Sequence, residues 1–360
     1  MSITPKNVIL RAFKQKSMIE KLNSKDFLDS ADSPIIDVRS PAEFEQGHIP
    51  GAFNIPLFTN EERAEVGILY KQSGRQGAIF KGLDLVGSKM SGFLREAIRL
   101  SPERKLRVHC WRGGMRSESM AWLFSMSGFQ IQMLAGGYKA FRHYIREQLE
   151  SNAKYVVLSG RTGSGKTEVL QELIKMDAQV IDLEGLAHHK GSSFGALGEE
   201  PQPSSEQFEN DLYEVWKTMD LSRPIWLEDE SRFIGKVSIP EPLFVKMRNC
   251  PVIRMEMPAE LRVKRLVEDY ANYPKEGLIA ATERITRKLG GQHAVTAIEA
   301  IKNNDFKTAI EIVLFYYDKT YNYGVSKRDP DKVFPIDVNT ANARMNAENI
   351  LSFIKTHAII

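Results

Sequence analysis

The sequence predicts two α/β domains, each built around a parallel sheet, with a mostly helical region at the C-terminal end of the second. Short apolar runs alternate with helical patterns over residues 1–145, the alternation restarts after the polar stretch 146–154, and residues 259–360 have a mostly helical pattern. The length of 360 residues also exceeds what a single hydrophobic core normally holds. We place the boundary in the polar stretch, which gives domains of residues 1–147 and 148–360.

Continuous apolar runs predict the buried strands, because parallel strands are usually covered on both faces. The runs are residues 35–38, 106–109 and 130–134 in the first domain and 155–158, 180–183, 225–227 and 252–255 in the second. Helical periodicity predicts helices at 89–100, 117–127 and 167–176. Residues 58–87 are rich in charge and glycine, and we expect an irregular surface excursion there. Residues 191–205 are rich in Gly, Ser and Pro, which predicts a loop.

Composition excludes several classes of protein. The contents of 42% hydrophobic and 26% charged residues exclude a largely disordered chain. Only two cysteines occur, Cys110 and Cys250, which excludes a disulfide framework and a zinc site made of paired CxxC motifs. No apolar run of about 18 residues and no secretory pattern is present, so we expect a cytoplasmic protein without a membrane span. Residues 1–150 carry a net charge of +6 and residues 151–360 one of −3, which permits a polyanionic partner.

Cys110 follows a predicted strand and begins a glycine-rich loop that leads into a predicted helix. Such a loop directs successive backbone N–H groups at one point and can hold an anion. Arg112 and Arg116 add positive charge, which favours the thiolate, the nucleophilic form of cysteine. We therefore predict that Cys110, Arg112 and Arg116 are catalytic; the alternative is a buried structural cysteine. Cys250 precedes Pro251 without a glycine-rich turn, and we assign it no chemistry.

The spacing within this loop leaves the substrate open. Five residues separate Cys110 from Arg116, and this CX5R spacing also serves phosphatases and arsenate reductases, in which the cysteine attacks an oxyanion held by the arginine. One alternative reading is thus a cysteine phosphatase or arsenate reductase fused to a small-molecule kinase. Another is a non-enzymatic protein whose binding is controlled by a nucleotide.

Residues 160–167 match the phosphate-binding motif G-x-x-x-x-G-K-[ST] between a predicted strand and a predicted helix. The backbone N–H groups of the motif would surround two phosphates, the lysine would neutralise the outer one, and the threonine hydroxyl could hold Mg²⁺. Mg²⁺ is the candidate ion, no metal ligands are assigned, and no organic prosthetic group is expected. The predicted phosphate-binding residues are Gly160, Thr162, Gly163, Ser164, Gly165, Lys166 and Thr167.

Several charged residues follow other strands or helices of the second domain. Asp182 and Glu184 follow a strand and are candidates for the substrate side of the site. Glu228, Asp229 and Glu230 follow another strand, either as a group on the metal side or as a solvated turn. The remaining candidates are basic: Arg284, Arg287 and Lys288 form either a clamp on phosphate or tRNA or a solvated face, and a solvated face is the default for Arg262, Lys264 and Arg265.

The first domain resembles the rhodanese family over about residues 10–145. The residues that carry the resemblance are Asp37-Val38-Arg39-Ser40-Pro41-Ala42-Glu43-Phe44, Gly47-His48-Ile49-Pro50-Gly51-Ala52 and the loop that starts at Cys110. The resemblance implies that the loop cysteine carries sulfur or selenium as a persulfide-type adduct. It also implies structural roles for Asp37 and Arg39 and a turn at Gly47-His48.

Nearly the whole chain resembles the bacterial tRNA 2-selenouridine synthases. Their loop reads C-x-x-G-G-x-R-S, which Cys110, Gly113, Gly114, Arg116 and Ser117 match, and further matching stretches are 136–142, 191–195 and 201–203. The resemblance implies a rhodanese-like domain followed by a P-loop NTPase-like domain. It also implies that the wobble 2-thiouridine in the anticodon loop of tRNA is alkylated by geranyl diphosphate and then receives selenium from selenophosphate through Cys110. The expected partners are therefore tRNA, geranyl diphosphate, and selenophosphate with its supplying synthetase. We expect the phosphate-binding motif to hold geranyl diphosphate rather than ATP.

Overall fold

The computed structural model describes residues 18–30 and 32–359 of the chain. The chain divides into two compact units, Met1–Gln148 and Leu149–Ile360. In both units the predicted α/β class with parallel sheets is confirmed. Within the described residues, no helix is both long enough and apolar enough to cross a membrane.

The first unit contains a five-stranded sheet in the order β1-β5-β4-β2-β3, and all four strand pairs are parallel. The strands are β1 Ile19–Leu22, β2 Ile35–Asp37, β3 Phe53–Asn54, β4 Lys105–His109 and β5 Gln130–Leu134. The helices are α1 Ser24–Asp29, α2 Pro41–Gln46, α3 Asn60–Val86, α4 Met90–Leu100, α5 Met115–Met126 and α6 Gly137–Leu149. Apolar side chains of the sheet and of α4 and α5 form one core, which includes Val108, Phe93 and Phe124. The central strands are buried because helices cover the sheet, which explains their continuous apolar runs.

The prediction of an irregular excursion at residues 58–87 is wrong. The segment is mainly the helix α3, which is interrupted at Gly74, where φ is 71° and ψ is −171°. A capping box starts the helix: Thr59 N–H donates to Glu62 Oε2 at 2.8 Å, and Glu62 N–H donates to Thr59 Oγ1 at 3.3 Å. This reciprocal pair satisfies two backbone donors that would otherwise have no partner at the start of a helix. The sequence pattern did not predict this helix because the segment is rich in charged residues and glycine, and the capping box at its start was not recognised.

The second unit contains a five-stranded parallel sheet in the order β12-β11-β6-β8-β7, and a two-stranded antiparallel ribbon formed by β9 and β10. The strands are β6 Tyr155–Gly160, β7 Gln179–Ile181, β8 Ile225–Glu228, β9 Phe233–Ile234, β10 Val237–Ser238, β11 Val252–Glu256 and β12 Val333–Asp337. The sequence did not predict β12. It contains Pro335, and it is an edge strand that pairs only with β11, a position at which proline is tolerated.

Helices make up most of the C-terminal part of this unit, as predicted, apart from β12. The helices of the second unit are α7 Lys166–Lys175, α8 Leu183–Ala187, α9 Ser205–Trp216, α10 Glu241–Asn249, α11 Ala259–Tyr270, α12 Lys275–Arg284, α13 Thr286–Leu289, α14 Gly291–Lys302, α15 Phe306–Val325 and α16 Ala343–His357. Leu278, Ala281, Ile285 and Ile301 belong to a separate apolar cluster of this helical region. Residues 191–204 contain no helix or strand, so the predicted loop is confirmed.

Candidate active sites

The first candidate site is the loop of residues 110–116, called here the cysteine loop, which joins β4 to α5. The start of α6 fastens it, because Tyr138 N–H donates to Cys110 O at 2.8 Å. Gly137 is required at this point, since a Cβ there would lie 2.4 Å from both Cys110 O and Gly113 N. The shape of the loop therefore depends on close backbone contacts between two segments that are distant in sequence.

The thiol of Cys110 contacts a hydroxyl group. Its Sγ lies 3.2 Å from Ser117 Oγ, and the same hydroxyl lies 3.0 Å from Gly114 O. A hydroxyl has one proton, so Ser117 donates either to this carbonyl or to the sulfur. When Cys110 is a thiolate, the sulfur is a charged acceptor, and hydrogen bonds to charged groups are the stronger ones. Ser117 is thus placed to stabilise the nucleophilic form of Cys110.

The two arginines predicted for the cysteine loop differ in their surroundings. Arg116 donates through Nη1 to Glu43 Oε2 at 2.6 Å and through Nη2 to Glu43 Oε1 at 3.3 Å. Burial alone would raise the pKa of Glu43, but the hydrogen bonds and charge of Arg116 lower it below its usual value. Arg112, in contrast, is exposed. A phosphate at this loop would share Arg116 with Glu43 and would find Arg112 accessible.

A cavity of about 860 Å³ opens beside the cysteine loop, and we call it the cysteine pocket. Its walls include Cys110, Arg112 and Arg116 from the loop and residues 63, 64, 66–68, 70 and 71 of α3. Pockets that bind small molecules typically measure about 300–1,000 Å³. A space of ligand size therefore adjoins the nucleophile.

The pair Asp37 and Arg39 lies in the core of the first unit. The two side chains are 0% and 1% exposed, Arg39 Nη2 donates to Asp37 Oδ2 and to Gly47 O at 2.6 Å each, and the guanidinium lies 3.9 Å from the centre of the Tyr138 ring. Burial alone would raise the pKa of Asp37, yet its surroundings, including the Arg39 hydrogen bonds, lower it, so the carboxylate is ionised. Arg39 thus links β2 to the turn at Gly47 and to the helix that fastens the cysteine loop.

Replacing Arg39 by methionine should destabilise the first unit by about 3–5 kcal/mol, because Asp37 would remain as a buried charge without its partner. Hydrogen exchange followed by mass spectrometry on peptides covering β4 would measure the change. The matched control is Lys25→Met, which removes an exposed ion pair with Asp29 and should leave the exchange of β4 unchanged. Equal protection of β4 in the two variants would contradict a structural role for the buried pair.

The second candidate site is the loop of residues 160–167, called here the phosphate loop, between β6 and α7. Gly163 has a φ of +83°, and a Cβ there would lie 2.9 Å from Leu266 Cδ1, so both the backbone angle and the available space require glycine. Ser164 Oγ is buried and has no hydrogen-bond partner among the described residues. Lys166 Nζ lies 3.3 Å from Gly160 O. The loop therefore presents an ammonium group and an unsatisfied hydroxyl in the part of the motif that binds phosphate.

Three carboxylates, Glu184, Glu228 and Glu230, surround Lys166, and we call them the carboxylate cluster. Burial alone would lower the pKa of Lys166, but electrostatic interaction with the three acidic side chains raises it, so the ammonium is retained. The pKa of Glu228 is raised to about 8 by burial and by the charges of Asp182 and Glu184. Burial and the proximity of Glu184 raise the pKa of Glu230 as well. Lys166 is the cation that allows these acids to lie together.

The structure corrects two expectations for the acidic residues. Residues 228–230 are not a solvated turn, since Glu228 is 0% and Glu230 8% exposed. Asp229 does not join the cluster: its Oδ2 accepts a hydrogen bond from Ser159 at 2.6 Å, and its Oδ1 pairs with Arg328. Glu184 and Glu230, which the sequence placed after strand ends without a firm role, complete the cluster around Lys166. The sequence alone does not show which two of the three consecutive acids lie near Lys166.

Asp182 has a structural role in addition to its charge. Its Oδ1 accepts a hydrogen bond from Gly185 N–H at 2.7 Å and caps α8, which is why β7 ends at Ile181 and Leu183 is helical. The backbone N–H groups of Leu183 and Glu184 donate to Glu228 Oε2 at 2.9 and 3.3 Å. The start of α8 therefore holds Glu228 beside the phosphate loop.

The basic residues of the second unit are only partly as expected. Arg262 is 2% exposed, not solvated: it pairs with both oxygens of Asp318 at 2.8 and 2.7 Å and donates to Thr162 O at 3.2 Å. This pairing could not be predicted from a local sequence pattern, because Arg262 and Asp318 are 56 residues apart. Two other predicted residues depart from a purely solvated face: Arg265 donates to Glu168 Oε1 at 2.6 Å, and Arg284 to Ser193 O at 2.8 Å. Lys264, Arg287 and Lys288 are exposed.

Replacing Glu228 by glutamine should flatten the pH dependence of stability. The folded-state pKa of Glu228 is raised from the ordinary 4.5 to about 8, so between these values the folded chain holds a proton that the unfolded chain has lost. Its contribution to stability is therefore complete below about pH 4.5 and is lost as the pH rises through about 8. The free energy of unfolding of the native chain should fall by up to about 1.4 kcal/mol per pH unit relative to the variant across this window. Urea unfolding from pH 5 to 8 in a chelating buffer would measure it, and parallel profiles would contradict the raised pKa.

The residues near the phosphate loop also bear on a metal ion. Thr167 Oγ1 donates to Glu184 Oε2 at 3.2 Å, so the hydroxyl that the motif assigns to Mg²⁺ lies beside a carboxylate. The described residues contain no group of three or more His, Cys, Asp or Glu side chains that could hold a metal ion by themselves. These oxygen donors fit an Mg²⁺ ion that takes its remaining ligands from phosphate and water.

Cys250 contrasts with Cys110. Burial raises the pKa of its thiol to about 11, so at neutral pH it is protonated and a poor nucleophile. Its Sγ contacts Met247 O at 3.4 Å. This cysteine therefore serves as a control for reactions assigned to Cys110.

Comparisons with known proteins agree with the two units. Residues 16–144 match the model of the rhodanese-like domain, and residues 153–350 match the model of the tRNA 2-selenouridine synthase AAA domain. The chain is 34% identical to the tRNA 2-selenouridine synthase of Sulfurovum sp., over 94% of this chain and 100% of the relative. It is also 34% identical to that of Marinobacter nauticus, over 86% of this chain and 94% of the relative. The predicted order of a rhodanese-like domain followed by a P-loop domain is thus confirmed, and the chain belongs to the tRNA 2-selenouridine synthase family.

Proposed function

We propose that this enzyme converts the wobble 2-thiouridine of tRNA to 2-selenouridine in two steps, S-geranylation at the phosphate loop and selenium transfer at Cys110. The observation that carries the proposal is that a single chain combines a phosphate loop, which presents the Lys166 ammonium and the unsatisfied Ser164 hydroxyl, with a buried cysteine that adjoins a ligand-sized cavity. Each site suits one half of the reaction. The family supports tRNA as the substrate.

In the first step, the sulfur on C2 of the base attacks C1 of geranyl diphosphate. A sulfur–carbon bond forms, the carbon–oxygen bond breaks, diphosphate leaves with the electron pair, and the proton on N3 of the base passes to solvent. Lys166 and the backbone N–H groups of the phosphate loop would stabilise the charge that develops on the diphosphate. Thr167 would hold Mg²⁺, which would supply further positive charge there. The donor is already activated, so no nucleotide hydrolysis is needed.

In the second step, selenium has the same oxidation state in selenophosphate and in the selenated base. A perselenide on Cys110, as the rhodanese resemblance implies, would oxidise the selenium and would need a matching reductant later. Attack of the Cys110 thiolate on phosphorus needs neither, and it is the route that the CX5R spacing favours. The sulfur–phosphorus bond forms, the phosphorus–selenium bond breaks, and the hydrogenselenide ion leaves.

The released selenide completes the exchange. It attacks C2 of the S-geranylated base, the bond from C2 to sulfur breaks, and geranylthiolate leaves and takes a proton from solvent. The proton of the selenide ends on N3 of the base. Water then hydrolyses the phosphocysteine, which restores the thiol and yields phosphate. In this scheme Arg112 and Arg116 hold the phosphoryl oxygens, and Ser117 donates to the sulfur at the start and at the end.

A titration of the purified chain with geranyl diphosphate and with ATP tests the first step. The expected result is that geranyl diphosphate binds more tightly and that a stem-loop RNA containing 2-thiouridine gains a geranyl group, detected by mass spectrometry of its nucleosides. Tight ATP binding with steady hydrolysis would refute it. Rapid release of phosphate from p-nitrophenyl phosphate would favour a cysteine phosphatase fused to a kinase instead.

A further inference from the structure

One side of α3 lines the cysteine pocket. Arg63, Val66, Gly67, Tyr70 and Lys71 all line the cavity, and their spacing of three and four residues places them on one face. This face therefore forms a continuous wall of the pocket. The wall was not foreseeable, because the sequence did not predict α3.

Large apolar side chains are exposed around this pocket. Ile68 is 54%, Tyr70 59% and Met115 49% exposed, and all three line the cavity. Phe58 and Val66 extend the apolar lining. Single exposed apolar side chains are common on protein surfaces. Several that line one concave site indicate a binding surface for an apolar ligand.

Positive charge lies along the same cavity. Arg63, Lys71, Arg112 and Arg116 all line it. An apolar cavity with basic residues in its walls suits a ligand with an apolar chain and an anionic backbone. A nucleotide that carries an S-alkyl group has both features, and the proposed scheme releases selenide at Cys110, which lines the same cavity.

We propose that the cysteine pocket binds the geranyl chain of the S-geranylated wobble base during selenium transfer. The proposal rests on the proposed function. It adds where the geranyl chain binds during selenium transfer and how the modified base is selected. The chain lies against Ile68 and Tyr70, the RNA backbone meets the basic residues, and C2 of the base lies where selenide is released beside Cys110. The pocket thus explains why alkylation precedes selenation: the alkyl group provides a good leaving group and also the contact that selects the base.

Two synthetic stem-loop RNAs, with S-geranyl- and S-methyl-2-thiouridine, test this location. The rate of 2-selenouridine formation from selenophosphate is measured for each RNA. We expect the native chain to prefer the geranylated RNA by on the order of 100-fold, which requires only two carbon groups of the geranyl chain to be held well enough to gain about tenfold each. Ile68→Ser and Tyr70→Ser should each reduce this preference about tenfold, by slowing the geranylated substrate.

The matched control is Leu83→Ser, on the same helix but outside the pocket, where Leu83 is 64% exposed. It should keep the native preference, and thermal melting of all variants checks their folding. An unchanged preference in both pocket variants, or no preference in the native chain, would overturn the proposal. Slower geranylation from geranyl diphosphate in the pocket variants, with normal selenation of geranylated RNA, would place the donor's chain there and also overturn it. Failure of the native chain to selenate either RNA would instead refute the proposed function.

Discussion

Replacing Cys110 by serine should abolish selenium transfer while S-geranylation continues at close to the native rate. A serine hydroxyl is a much weaker nucleophile than a thiolate, and loss of a catalytic nucleophile commonly costs on the order of 10⁴-fold or more in rate. In the proposed scheme, geranylation uses the phosphate loop, which belongs to the other unit. Mass spectrometry of nucleosides should therefore show S-geranyl-2-thiouridine accumulating without 2-selenouridine.

The control for this variant is Cys250→Ser. Since the pKa of Cys250 is raised to about 11, its loss should affect neither step. If Cys110→Ser still forms 2-selenouridine, selenide reaches the base without this thiol, and the assignment of Cys110 fails. If geranylation fails together with selenation in a folded variant, the separation of the two steps between the two loops fails.

The same variant tests which atom of selenophosphate is attacked. An acid quench of the native chain with selenophosphate should reveal a phosphoryl group on the peptide that contains Cys110, and Cys110→Ser should lack it. A selenium adduct on that peptide would show attack on selenium, and a reductant would then be required for turnover.

The strands that carry both sites could be predicted from the sequence for a simple reason. In a covered parallel sheet the central strands are continuous apolar runs, and the glycine-rich loops follow them directly. The ends of β4, β6 and β8 therefore placed Cys110, the phosphate loop and Glu228 near the correct edge. These predictions succeeded because a strand and the loop that follows it are adjacent in the sequence. Such local patterns can be recognised in a single sequence.

The features that could not be predicted depend on contacts between distant residues. Arg262 resembles a solvated residue in sequence because its partner Asp318 is on another helix. The cysteine pocket was missed because α3 begins with a capping box in a charge-rich segment, and because its wall forms only when that helix lies beside the cysteine loop. That Glu230 lies near Lys166 while Asp229 pairs with Arg328 likewise depends on contacts between residues distant in sequence. Local sequence patterns therefore do not show which charged residues are buried or which residues they pair with.

Replacing Lys166 by methionine should produce the opposite phenotype to Cys110→Ser. Methionine keeps much of the length and apolar surface of the lysine stem but removes the charge that would stabilise the departing diphosphate. Removal of one such group commonly costs about 10²–10³-fold in rate. Geranylation of 2-thiouridine RNA should therefore fall by about 10²–10³-fold.

Selenation of RNA that is already geranylated should remain close to the native rate in Lys166→Met, because the proposed scheme places that step at the cysteine loop. The matched control is Lys175→Met, at the other end of α7, where the lysine side chain is 68% exposed and pairs with Glu172. It should leave both steps unchanged. Loss of both steps in a normally melting Lys166→Met variant would mean that the phosphate loop also serves selenium transfer. If Cys110→Ser loses only selenation and Lys166→Met loses only geranylation, the two steps use separate sites, as the proposed function requires.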